Sequence, residues 1–188
     1  MSYSPAPILQ ALRLHTRPAH DQLEQHAFNQ QLTAGTITEA TTTHFLAKMY
    51  GFLVPYEARL RQQPLGPAWE VGIRQRAHLI LKDLQQPASS LALCSSMPPL
   101  GSWPQLLGAM YVVEGSTLGG QVIARQLARA DIPQRSYFSG YGERTGPLWK
   151  AFCQLLAQEA TPENEAEIVQ SASLTFQILD AWLNQPPA

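Results

Sequence analysis

Residues 107–127 read LGAMYVVEGSTLGGQVIARQL, a helix-compatible run free of proline that nevertheless carries Gly115, Gly119 and Gly120 in its interior. Ser102 can cap its start, with Pro104 in the first turn. Each interior glycine costs about 1 kcal/mol relative to alanine, so the three together forgo roughly 3 kcal/mol that a purely structural helix would keep. Gly115 and Gly119 are one helical turn apart and share a face, so they bare a strip of main chain. That strip suits either a neighbouring helix crossing closely or a flat ligand lying on the backbone, and the spacing leaves both readings open. A bend at the glycines would help the second. A nucleotide loop is a poorer fit, because no strand precedes the segment and no Gly-Lys-Ser/Thr ending follows.

The rest of the chain is patterned for helices. A stripe over residues 8–27 runs through Leu9, Leu12, Ala19, Leu23 and Ala27, with Pro18 expected to kink it or to start a new helix capped by Thr16. Thr36 and Glu39 suggest a capping box ahead of Phe45, Met49, Phe52, Tyr56 and Leu60, with a bend near Gly51 and Pro55. A third stripe links Ile73, Ala77, Ile80, Leu81 and Leu84, and residues 85–100 read as a Pro- and Ser-rich connector. After a loop at 137–146, Trp149, Phe152 and Leu156 mark a further helix. Thr161 and Pro162 are expected to open the last, which carries Ile168, Ala172, Phe176, Leu179 and Leu183 and stops before Pro186 and Pro187. No strand alternation is present. The expectation is an all-α single domain over residues 1–188, of seven or eight helices, with residues 1–7 as an N-terminal tail.

Composition limits the function classes. With 45% hydrophobic and 14% charged residues the chain is globular, and a net charge of −1 without a basic stripe argues against nucleic acid as a partner. Cys94 and Cys153, with no CxxC, argue against structural zinc and suit a reduced compartment. No cationic-then-apolar leader is seen, and no apolar run reaches the roughly 18 residues needed to span a bilayer, so a cytoplasmic protein without a membrane partner is expected.

One histidine stands out by its neighbour. Glu24 lies one turn after His20 and can accept a hydrogen bond from the ring nitrogen that does not face a metal, the usual device for orienting a ligating imidazole. An ordinary half-buried histidine fits the same pattern. Arg13 and Arg17, also one turn apart, read on their own as a solvated face. His15, His26, His44 and His78 form no ligand pattern among themselves.

Two of these segments point the same way. LRLHTRPAHDQLEQHAF from Leu12 resembles the proximal helix of heme oxygenases, and YVVEGSTLGGQVI from Tyr111 resembles their distal helix in its bacterial form, including the phytochrome-associated type. YGFLVPYE from Tyr50, the segment 76–84 and TFQILDAWL from Thr175 agree, so the resemblance spans almost the whole chain. It implies a heme held between a proximal and a kinked distal helix, with His20 as axial ligand of the iron and Glu24 behind it. Gly115 and Gly119 would let the distal backbone lie over the porphyrin, and Gly120 would help the bend. Ser116 stands where the animal enzymes carry an aspartate. Arg13, Arg17 and Lys150 would meet the heme propionates, although Gln154 stands where some members have arginine. The implied activity is oxidative opening of heme, both cofactor and substrate, to biliverdin with release of CO and ferrous iron. Electrons would come from an external reductase or ferredoxin, and a bacterial phytochrome is a possible recipient of the bilin. A heme-binding or heme-storage protein of the same fold is the alternative. An enzyme of this fold acting on thiamine-like or quinone precursors would need neither His20 nor the glycines.

Overall fold

Local capping chemistry sets the helix boundaries, and it differs from the expected pattern in several places. The computed structural model describes residues 6–186. Among them are eight α-helices and no strand: α1 (Pro7–Glu24), α2 (Ala27–Ala34), α3 (Glu39–Arg61), α4 (Val71–Arg74), α5 (Ala77–Leu84), α6 (Trp103–Arg129), α7 (Thr145–Glu159) and α8 (Glu165–Leu183). The expected tail at 1–7 falls partly on residues 1–5, and Pro187 on the last two; both lie outside the described residues, while α1 already starts at Pro7.

The 27 residues of α6 form one continuous helix that begins as expected. Ser102 Oγ accepts the Gln105 N–H at 3.2 Å while Gln105 Oε1 accepts that of Ser102 at 3.2 Å. Elsewhere the caps move. Thr16 caps nothing, since its hydroxyl donates to the Leu12 carbonyl at 2.8 Å, and α1 runs on through exposed Pro18 because the one lost backbone bond faces water. The stripe over 8–27 therefore ends at Glu24. His26 Nδ1 accepts the Phe28 N–H at 3.2 Å to open α2, and Gly35, at φ 68°, closes it in the left-handed conformation. The box opening α3 is Thr38 with Thr41 rather than Thr36 with Glu39.

The third stripe is split between α4 and α5. Glu57 reaches across from α3 and its Oε1 accepts the N–H groups of both Arg76 and Ala77, at 2.6 and 2.9 Å, so α5 is capped from outside its own sequence. Ile73 is left 40% exposed. The loop expected at 137–146 is shorter, because α7 begins at Thr145; α8 starts three residues beyond Thr161–Pro162, after a turn in which Asn164 Oδ1 accepts the Thr161 N–H at 2.8 Å.

In the packed bundle α8 lies against both α6 and α1, and α3 against α5. Where α6 and α8 cross, a Cβ on Gly108 would stand 2.4 Å from the Ile168 carbonyl oxygen and 2.7 Å from the Ala172 nitrogen. The glycine required by a close helix crossing is thus Gly108, not the pair further along. Tyr50 and Phe52 are buried in this core. No helix among the described residues is long and apolar enough to cross a membrane.

Candidate functional site

Beyond the crossing, α6 borders a cavity of about 790 Å³ walled also by α1, α2, α3, α8, Tyr137, Phe138 and Trp149. That volume lies within the roughly 300–1,000 Å³ typical of small-molecule and cofactor sites. The three glycines of the sequence divide here. A Cβ on Gly120 would meet the Phe138 carbonyl oxygen at 2.6 Å, so this glycine admits protein backbone. A Cβ on Gly119 would meet nothing within 4 Å, and one on Gly115 only the Trp149 ring at 3.6 Å, an ordinary contact. Nothing among the described residues requires Gly119 to lack a side chain. Leu118 and Val122, apolar and 44% and 48% exposed, flank this bare strip and line the same cavity.

His20 reaches the cavity from α1, its side chain half exposed and its ring edge-on to Phe176 at 5.7 Å. Nδ1 lies 3.6 Å from Glu24 Oε1 and 3.8 Å from Asp21 Oδ1, within ion-pair reach but longer than a hydrogen bond. Asp21 in turn accepts Arg17 Nε at 2.7 and 2.9 Å. Carboxylates therefore occupy the Nδ1 side of the ring, which leaves Nε2 as the nitrogen available to a metal.

Arg13 and Arg17 line a second cavity of about 510 Å³ with Leu9, Leu14 and Cys153. Tyr111 and Trp149, ring centroids 5.6 Å apart, form the wall common to both cavities. Burial raises the Tyr111 phenol and pushes the Cys153 thiol up to about 11, so the second cavity presents two neutral groups beside its arginines. Lys150, exposed on α7, lines neither cavity.

The remaining wall is polar. Ser116 Oγ donates to the Val113 carbonyl at 2.7 Å, and Arg76 and Tyr137 reach the cavity beside it. Burial raises the Tyr137 phenol, against the pull of the Arg76 charge. Burial also opposes the charge on Arg76, but Tyr137, Tyr141 and Glu114 around it hold it protonated. One sign was legible: Glu114 is a lone charge in an otherwise apolar run. Arg74 and Arg76 gave none, being indistinguishable in sequence from surface arginines.

Comparison with known proteins agrees with this fold. The family model for heme oxygenase matches residues 75–185. A heme oxygenase of Xanthomonas campestris pv. campestris is 28% identical over 137 residues, covering 69% of this chain and 79% of that protein. Among solved structures, a heme oxygenase from Leptospira interrogans superposes with a TM-score of 0.79 at 18% identity, over 94% of this chain and 98% of that one. The NO- and CO-bound heme oxygenase from Neisseria meningitidis gives 0.77 at 22%, over 94% and 89%. Heme oxygenase-1 from the cyanobacterium Synechocystis, in complex with heme, gives 0.74 at 15%, over 94% and 90%. At these identities the superpositions speak for the fold alone.

Proposed function

The chain belongs to the heme oxygenase family, and from that membership we propose that it binds heme as its substrate in the larger cavity and opens it to biliverdin. Bound heme supplies the reacting iron and macrocycle: with dioxygen and electrons from outside, one meso bridge is oxidised and lost as CO, leaving biliverdin and ferrous iron. The chain's own residues bind, orient and shield. His20 would ligate the iron through Nε2, with Glu24 and Asp21 beside the other ring nitrogen to orient the imidazole. Gly115 and Gly119 would let the heme come close to the α6 backbone, and Leu118 and Val122 would supply apolar contact beside it. Arg13 and Arg17 take the propionates in the second cavity, across Tyr111 and Trp149. Lys150 contributes charge from the exposed side of α7. Ser116 offers a hydroxyl that can pass a proton but not a carboxylate that can supply one. Electrons come from a separate ferredoxin or flavin reductase, and the bilin passes to a phytochrome or is discarded once iron is released.

The observation that carries this reading is the open strip at Gly119: a helix gives up stability there although no described residue comes within 4 Å of where a side chain would begin, in the cavity that His20 also lines. His20→Ala tests it. The variant is expected to keep its helical fold, lose the histidine-ligated heme spectrum and regain it with added imidazole. An unchanged iron–histidine band in resonance Raman would remove His20 from the site. Gly119→Leu is expected to weaken heme binding more than it weakens the heme-free fold; the opposite order would favour a packing role for the strip. Retained heme with no reductant-dependent ring opening would favour a heme-storage protein.

A further inference from the structure

A buried polar cluster lies behind the glycines. Glu114, in the turn of α6 just before Gly115, is 1% exposed. Its carboxylate is paired with Arg74 at the end of α4 and accepts the Tyr141 hydroxyl at 2.9 Å. Arg76, 2% exposed, donates from Nη2 to the Val113 carbonyl at 3.2 Å and lies over the rings of Tyr137 and Tyr141, 4.9 and 5.4 Å from their centroids. Three atoms of the cluster, Tyr56 Oη, Arg74 Nη2 and Arg76 Nε, are buried without a hydrogen-bond partner among the described residues. Buried groups of this kind are satisfied by ordered water.

Stability alone gives this arrangement little reason to exist. A buried ion pair contributes no more than an apolar pair of similar volume would, and often less. Yet α3, α4, α6 and the turn at 137–141 converge on it, and Arg76 and Tyr137 carry it through to the cavity wall beside Ser116. Position 116 has no carboxylate, while two residues earlier on the same helix one is held on the inner side.

We propose that Glu114 is a positioning residue for the oxygen-facing side of the cavity: through Tyr141 and Arg76 it fixes a hydrogen-bonded chain of side chains and internal water that ends at Ser116 and delivers protons there. The inference rests on the heme-opening reading. A proton given up at Ser116 is replaced along the chain from Tyr141, which is partly exposed and draws on bulk solvent. The charged and titratable groups facing Glu114 are Arg74, Arg76, Tyr56 and Tyr141, with Tyr137 and Glu57 beyond Arg76.

Glu114→Gln, loaded with ferric heme, is expected to keep its histidine-ligated spectrum and heme affinity. Removing the negative charge leaves the guanidinium groups less compensated, so the alkaline transition of the ferric complex moves to lower pH, by about half a unit or more. Bilin formation is expected to slow by about tenfold or more. The double variant Arg74→Met, Glu114→Leu replaces the ion pair by an apolar one; it is expected to melt no lower than the parent and still to form bilin slowly, which a merely structural pair would not do. An unmoved transition with an unchanged rate in Glu114→Gln, or parental turnover in the double variant, overturns the proposal. If the parent protein itself shows no histidine-ligated heme, the heme-opening reading fails instead.

Discussion

Replacing Gly119 by alanine separates what the fold needs from what a ligand needs. The added methyl would have no heavy atom within 4 Å, and Gly119 is not among the glycines with positive φ, so the substitution carries no steric or backbone penalty. It gains the helix propensity that glycine lacks, about 0.8–1.0 kcal/mol. For a chain of this length that corresponds to a rise of about 2–4 °C in the heme-free melting temperature. The same methyl stands on the bare strip against which the heme is placed. A tenfold loss of heme affinity removes about 1.4 kcal/mol of ligand-dependent stabilisation at a fixed, saturating heme concentration. That is about 3–6 °C, enough to reverse the order of the two proteins. Thermal melts of parent and variant, with and without equal heme, read both signs. A heme-free variant that melts lower would mean the strip is covered by protein. A heme-induced rise equal to the parent's would mean the ligand does not lie on Gly119.

Three further outcomes follow from the same geometry. Gly108→Ala pushes a methyl into the backbone of α8 and is expected to cost about 1–3 kcal/mol in denaturant melts of the heme-free protein, while unchanged stability would deny the close crossing. Arg13→Glu combined with Arg17→Glu is expected to lower heme affinity about tenfold or more without moving the Soret band; undiminished affinity would send the propionates elsewhere. The Cys153 thiol, pushed up to about 11 by burial against an ordinary 9.0, has about a hundredfold less thiolate at neutral pH, so its alkylation should be slow in the native protein, quicken as pH rises toward 11, and match a free thiol only on unfolding. Native and unfolded rates that agree at neutral pH would contradict the burial.

How far the sequence could be read depended on whether the deciding interaction was local. Ser102 just ahead of Pro104 is a local pattern, and the start of α6 was legible from it. The break between α4 and α5 was not, because the group that caps α5 is Glu57, on another helix, and the apolar stripe runs through the break unchanged. His26 as an N-cap escaped notice because histidine is seldom placed there. For the site, the glycines could be seen to bare a face, but what lies opposite each was not in the sequence: Gly108 and Gly120 admit backbone, whereas Gly119 faces open space. His20 with Glu24 was readable from a single helical turn. The cluster of Tyr56, Arg74, Glu114 and Tyr141 was not, since it joins four segments that only the packed bundle brings together.

Turnover under controlled electron supply tests the central claim most directly. Heme-loaded protein in air is expected to stay unchanged without reductant, and on addition of a ferredoxin–reductase system, with catalase present, to lose its Soret absorbance while one predominant bilin isomer and CO appear. A complex that accepts electrons and merely autoxidises, with heme intact and no CO, would contradict the account and leave a protein that holds heme without opening it.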